Sequence, residues 1–96
     1  MRPREILKKL EAEKPYLRER FKVKRLGLFG SFARNEPAKG SDIDILVEFQ
    51  EPISLFKFID LENHLGKILE KKVDLVSKKA LKPRLKKQIL KEVRYW

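Results

Sequence analysis

The first part of the chain mixes apolar and charged positions with the spacing of helices. Pro3 suits the first turn of a helix, where a missing backbone donor costs nothing. Pro15 ends that helix or restarts a second one, because proline is not tolerated in a helix interior. The apolar positions that we expect to face inward are Ile6, Leu7, Leu10, Tyr16, Leu17 and Phe21.

Three short segments rich in apolar residues are typical of β-strands. They are VKRLGLF (Val23–Phe29), SDIDILVEF (Ser41–Phe49) and KKVDLVS (Lys71–Ser77). Gly30 breaks the first of them, and the following residues SFAR are expected to open a short helix.

Longer helices are predicted after the second and third strands. Ser54 is a good N-cap for the first, and Lys82–Trp96 gives the last. Their expected inward positions are Leu55, Phe58, Ile59, Leu65, Ile68 and Leu69, then Leu85, Ile89 and Val93. This order predicts one α/β (α+β) domain over residues 1–96, with a small mixed sheet of three to four strands flanked by helices.

The composition fits a small, folded and basic protein. The 96 residues are 42% hydrophobic and carry a net charge of +10. The lack of cysteine excludes a disulfide framework, a zinc knuckle and a thiol nucleophile, and a single histidine, His64, excludes a His-rich metal site. No apolar run is long enough for a membrane span or a signal sequence, so we expect a cytoplasmic protein with no membrane partner.

The charge is unevenly distributed, because residues 1–25 and 78–96 are basic and residues 26–77 are acidic. The basic ends fit either the solvated faces of helices or a nucleic-acid footprint. Aromatic residues for base stacking are scarce between the C-terminal lysines, so nucleic acid is not the expected partner.

Two carboxylates stand out within the second predicted strand. Strand alternation places Asp42 and Asp44 on one face, with Cα atoms about 6–7 Å apart. That spacing lets both contact a pair of cations, and carboxylate oxygens suit Mg²⁺. A DxD sequence alone also fits an exposed strand face or a capping pair.

The Gly-Ser step after the first strand has groups that can bind phosphate, whereas the two aspartates can bind cations. Gly30 allows a close approach of the backbone, and the Ser31 hydroxyl and free backbone N–H groups there can donate to phosphate oxygens. An ordinary helix cap is the alternative.

Asp74 is the candidate third carboxylate, because the strand around it is otherwise apolar and burial of an unpaired carboxylate is costly. An edge-strand aspartate facing water is the competing interpretation.

These residues together resemble a known family. Gly30-Ser31, then ten residues, then Asp42-Ile43-Asp44 matches the GS-x10-DxD signature of the polymerase-beta-like nucleotidyltransferase superfamily. The wider string LGLFGSFAR…SDIDILVEF…KKVDLV resembles its smallest branch, the minimal nucleotidyltransferases that are often encoded beside HEPN-domain proteins as toxin–antitoxin pairs. The resemblance covers roughly residues 5–96.

The resemblance implies a palm-like core and a Mg²⁺-dependent nucleotidyltransferase. It implies that Gly30 and Ser31 bind the phosphates of ATP and that Asp42, Asp44 and Asp74 are the catalytic carboxylates, which ligate two Mg²⁺ ions. It further implies transfer of AMP to a hydroxyl, a tyrosine of a HEPN toxin, by a protein that acts as the antitoxin.

One position departs from the family pattern. The family usually has glycine after the Ala-Arg pair, where this chain has Asn35. Asparagine is the next best residue for a left-handed helix end, so we expect the turn to be kept.

Other functions stay open at this point. A non-catalytic module that caps a partner or binds nucleic acid, with a vestigial nucleotide site, is one alternative. A metabolic transferase acting on a small alcohol or an antibiotic is another, although little chain remains for a dedicated pocket. A template-reading polymerase is excluded, because no residues remain to hold a primer–template duplex. Self-association stays open.

Overall fold

The computed structural model describes all residues, 1–96, and is built on a four-stranded mixed sheet. The strands are β1 (Val23–Phe29), β2 (Ile43–Phe49), β3 (Val73–Ser77) and β4 (Arg94–Tyr95). They lie in the order β3-β2-β1-β4. β1 is antiparallel to both β2 and β4, whereas β2 and β3 are parallel. The predicted small mixed sheet is confirmed.

Five helices accompany the sheet: α1 (Pro3–Ala12), α2 (Lys14–Phe21), α3 (Gly30–Ala33), α4 (Leu55–Leu69) and α5 (Pro83–Glu92). A short 3-10 turn, Lys78–Ala80, follows β3. Ser54 is the N-cap of α4 as predicted, since its hydroxyl oxygen accepts a hydrogen bond from the Lys57 N–H at 3.2 Å. None of these helices has both the length and the apolar character that crossing a bilayer requires.

One face of the sheet forms the hydrophobic core together with α1, α2 and α4. Side chains that alternate along β1 and β2 point into it, and each buried aliphatic side chain stabilises the fold by about 1.5–3 kcal/mol. The fully buried members are Ile6, Leu10, Leu17, Val23, Leu26, Leu28, Ile43, Ile45, Val47, Leu61, Leu65 and Leu69. By the same alternation, Gly27, Leu46, Asp44 and Asp74 lie on the opposite face.

The C-terminus differs from the prediction of one helix over Lys82–Trp96. α5 ends at Glu92, and Val93 is extended, with φ −63° and ψ 136°. The next residues form β4, where Tyr95 pairs with Gly27, and the Trp96 N–H donates to the Leu26 carbonyl at 3.1 Å. Without β4, that edge of β1 would present unpaired backbone groups, and aromatic residues suit a strand there.

Several predicted inward positions are wrong. Tyr16, Leu55, Ile59 and Leu85 are 47%, 70%, 44% and 51% exposed. In α4 the fully buried positions begin only at Leu61, so the first turns of that helix lie outside the core. α5 has no fully buried residue at all.

Candidate active site

The end of β1 lies directly against the second aspartate of the acidic motif. Phe29 pairs with Asp44 across the antiparallel ladder, and Gly30 follows with a left-handed φ of +76°. A Cβ atom built on Gly30 would overlap the Asp44 carboxylate oxygen Oδ2. Only glycine therefore combines this backbone conformation with this close approach. The Gly-Ser step and Asp44 of the DxD motif therefore lie side by side.

The second carboxylate of the site comes from the neighbouring strand. Asp74 on β3 pairs in register with Asp44 on β2. Adjacent strands are about 4.8 Å apart and paired residues of a parallel ladder point to the same face, so the two carboxylates are neighbours. Asp44 is half-buried and Asp74 is exposed.

The electrostatic environment of Asp44 disfavours its charged form. Burial raises its pKa to about 6, with further contributions from the negative charges of Asp74 and Asp42. The Arg34 guanidinium opposes this rise, and the Glu92 carboxylate adds to it. The site therefore has more negative than positive charge.

Asp42 lies just before β2, whereas the strand was predicted to begin at Ser41. The Ala38 N–H donates to the Ser41 hydroxyl at 2.9 Å, and the Ser41 N–H donates to the Ala38 carbonyl at 3.0 Å, which makes a turn. The parallel ladder begins only where the Ile43 N–H donates to the Lys72 carbonyl at 2.9 Å. The alternation argument therefore does not place Asp42, although its charge still acts on Asp44.

Asp74 is not buried, so the argument from the cost of burial does not apply, and the competing interpretation of an edge-strand aspartate facing water describes its position. β3 is an edge strand of the sheet, and Asp74 is exposed on it. β3 is also shorter than the predicted Lys71–Ser77, because the Lys71 N–H donates to the Gly66 carbonyl at 3.1 Å and closes the end of α4. Its register with Asp44, rather than burial, places Asp74 beside the other carboxylate.

The turn after β1 has the predicted short helix. Gly30 begins α3 and Ser31 is half-buried within it. Asn35 has a left-handed φ of 58°, which confirms that asparagine keeps the turn where the family usually has glycine.

Two further residues belong to the site and were not singled out from the sequence. The Arg34 guanidinium binds Glu92, with Nη1 2.8 Å from Oε2, and the Gly30 N–H donates to Glu92 Oε1 at 3.1 Å. Arg34 lies in the quoted SFAR segment, so its position four residues after Gly30 was an available signal. Glu92 lies 62 residues from Gly30 and has no local signal.

The donor set suits divalent cations. Asp42, Asp44 and Asp74 offer carboxylate oxygens, which Mg²⁺ prefers, and Arg34 is the one cation that acts on Asp44. The three carboxylates do not converge as a closed three-ligand cluster. An open arrangement of this kind fits an ion that takes its remaining ligands from substrate phosphates and water.

Comparison with known proteins gives a consistent picture. A family model described as the nucleotidyltransferase domain matches residues 7–96. The chain is 50% identical over 91 residues to the protein adenylyltransferase MntA of Thermococcus cleftensis, covering 95% of this chain and 92% of that protein.

Two solved structures share the fold. One, a candidate minimal nucleotidyltransferase, has 37% identity and a TM-score of 0.74, covering 92% of this chain and 93% of its own. The other, a toxin–antitoxin crystal structure with AMP-PNP, has 27% identity and a TM-score of 0.75, covering 94% of this chain and 73% of its own. The mixed sheet, the Gly-Ser turn against Asp44 and these matches together show that the chain belongs to the nucleotidyltransferase domain family, in its minimal branch.

Proposed function

We propose that this protein transfers AMP from ATP to a hydroxyl group, a tyrosine of a cognate HEPN toxin, and so acts as the antitoxin of a toxin–antitoxin pair. The observation that carries the proposal is the pairing of Asp44 with Asp74, next to the Gly30 turn, on one face of the sheet. The high identity to a named protein adenylyltransferase and the likeness to a toxin–antitoxin structure with a bound ATP analogue support the same reaction.

The residues of this site have distinct roles in the proposed reaction. Asp42, Asp44 and Asp74 would hold two Mg²⁺ ions, which supply the positive charge that phosphoryl transfer requires. The Gly-Ser turn binds the phosphates, and Ser31 donates from its hydroxyl. Both elements lie at the same end of the sheet, so the triphosphate and the carboxylates meet there.

The bond changes follow from these positions. The acceptor oxygen forms a bond to the α-phosphorus, and the bond from that phosphorus to the pyrophosphate oxygen breaks. The proton of the acceptor hydroxyl passes to Asp74, which is the carboxylate on the open edge of the sheet. Exposure of the Asp74 side chain favours an acceptor presented by another macromolecule, because Asp74 is accessible from outside the protein. A reaction that consumes ATP fits a cytoplasmic protein.

Transfer of label from α-labelled ATP tests the proposal. The purified protein is incubated with Mg²⁺ and the HEPN protein encoded beside it, and the labelled residue is located by mass spectrometry. We expect AMP to be attached to a tyrosine of the partner, and no transfer when that tyrosine is replaced by phenylalanine. Equal labelling by an Asp44→Asn variant would contradict the assignment.

A non-catalytic module that caps a partner or binds nucleic acid is the second candidate. It is favoured by α5, which lacks any fully buried residue and carries Leu85, half exposed, among basic side chains. The same experiment separates the two functions, since the module would bind the HEPN protein without modifying it.

A further inference from the structure

One carboxylate from the C-terminal part of the chain holds both ends of α3. Glu92 accepts from the Gly30 N–H with Oε1, at 3.1 Å, and from Arg34 with Oε2, at 2.8 Å. Gly30 is the first residue of α3, and Arg34 is its C-cap. The side chain of Glu92 is only 25% exposed, so these contacts are partly shielded from water.

α3 needs support from outside. It is a single turn of four residues, and one turn does not stabilise itself, because helix nucleation is unfavourable. Its first residue also has a left-handed backbone, immediately after the extended Phe29. The conformation of the Gly-Ser turn therefore depends on contacts made with the rest of the protein.

Glu92 is itself firmly placed by the strand that follows it. The Val93 N–H donates to the Ile89 carbonyl at 3.0 Å, and β4 then pairs with β1. A Cβ atom on Gly27 would overlap Val93 Cγ2, so the chain after Glu92 lies in close contact with β1. The Arg25 guanidinium lies 3.6 Å from the centre of the Tyr95 ring, which further fixes β4.

We propose that Glu92 is a positioning residue that holds the Gly-Ser turn in its phosphate-accepting shape. This inference rests on the proposed function. Because the Gly30 N–H already donates to Glu92, the contact with phosphate is made by Ser31, and Gly30 serves to bring the backbone close to Asp44. The family resemblance implied that Gly30 binds phosphate. In this proposal Gly30 instead allows the close approach of the backbone to Asp44 and makes no hydrogen bond to phosphate.

Three variants separate the two hydrogen bonds of Glu92, one from the Gly30 N–H and one from Arg34. Glu92→Ala removes both hydrogen bonds. Glu92→Gln keeps an acceptor for the Gly30 N–H but loses the ion pair with Arg34. Glu36→Gln is the matched control, because Glu36 also lies near Arg34, at 4.0 Å, is well exposed, and does not contact Gly30. Thermal unfolding of each variant shows whether the fold is kept, and Glu92→Gln carries the test if Glu92→Ala unfolds.

Two measurements are made on each variant. Calorimetry with Mg²⁺ and a non-hydrolysable ATP analogue gives the nucleotide dissociation constant, and hydrogen exchange gives the protection of the Gly30 and Ser31 amides. We expect nucleotide affinity to fall roughly tenfold or more in Glu92→Ala, less in Glu92→Gln, and not at all in Glu36→Gln. We expect the Gly30 amide of the wild type to stay protected when nucleotide binds.

The outcomes distinguish this inference from its alternatives. Tighter nucleotide binding by either Glu92 variant would overturn it, because Glu92 would then be an anion that the phosphates displace. Unchanged affinity and unchanged Gly30 protection would also overturn it. If the wild type binds no nucleotide, the proposed function fails, whereas loss of amide protection in Glu92→Ala would still show that Glu92 holds the turn.

Discussion

Asp44 and Asp74 are paired across the parallel β2–β3 ladder, and their side chains lie side by side on the sheet face opposite the hydrophobic core. Burial and the charge of Asp74 are the two largest causes of the raised pKa of Asp44. Arg34 is the cation that opposes them, and it is already paired with Glu92 at 2.8 Å. The site consequently has an excess of negative charge, which bound divalent cations are proposed to neutralise.

Removal of one negative charge from the Asp42 and Asp44 pair separates the effect on catalysis from the effect on stability. We expect Asp44→Asn or Asp42→Asn to lower AMP transfer at least 100-fold, while the free energy of unfolding stays equal or rises slightly because repulsion is relieved. Transfer of labelled AMP and urea denaturation measure the two effects. Asp60→Asn is the control, since Asp60 is exposed on α4. A normal rate in Asp44→Asn would mean that the pair is structural.

The titration of Asp44 makes a distinct contribution to stability. Its pKa is about 6 in the folded protein, above the ordinary 3.8, so the folded state binds this proton more tightly. That stabilisation is fully present below pH 4 and is lost as the pH rises through 6. We expect wild type to lose about 1 kcal/mol relative to Asp44→Asn over this range, after allowance for solvent screening. The free energy of unfolding of both proteins is measured by denaturation at each pH from 4 to 7. A difference between them that stays constant over this range would refute the prediction.

Nucleotide binding is expected to depend on divalent metal. The carboxylates repel a bare triphosphate, and Mg²⁺ or Mn²⁺ reverses the sign of the local charge. Calorimetry with ATP should show binding in the presence of Mg²⁺ and none with excess EDTA. If ATP binds with the same affinity in both buffers, the carboxylates are not metal ligands.

The hydroxyl of Ser31 is expected to act on binding more than on folding. Ser31→Ala removes one donor to a charged phosphate, which is worth roughly 1.5–3 kcal/mol of binding free energy. The KM for ATP should therefore rise by about ten- to a hundredfold, with little change in the melting temperature. Ser54→Ala offers a contrasting variant, because that hydroxyl caps α4 and its loss should lower stability by about 1 kcal/mol and leave nucleotide affinity unchanged. An Ser31→Ala protein that unfolds but binds ATP normally would make Ser31 only a helix cap.

The sequence predicted correctly those parts of the fold that are determined by a few adjacent residues. β1 was predicted with the bounds it has, Val23–Phe29, because an apolar run ends there at a glycine. The left-handed Asn35 followed from the backbone preference of asparagine. Both outcomes depend on a few adjacent residues.

Long-range pairings explain what the sequence did not reveal. The two residues of β4 are too few to show a period, and they form a strand only because β1 has a free edge. The contact of Glu92 with Gly30 spans 62 residues. The position of Asp74 beside Asp44 depends on the β2–β3 register, which no single strand encodes.

The contact between Gly30 and Asp44 means that the residue at position 30 cannot change as long as the aspartate at position 44 is kept. Any side chain at position 30, even a methyl group, would need the volume that the Asp44 carboxylate occupies. A genetic screen for loss of function should therefore recover Gly30 as readily as the aspartates, although Gly30 offers no functional group. Suppressors in such a screen should not arise at position 44, because a smaller residue there would restore the space and remove the carboxylate together.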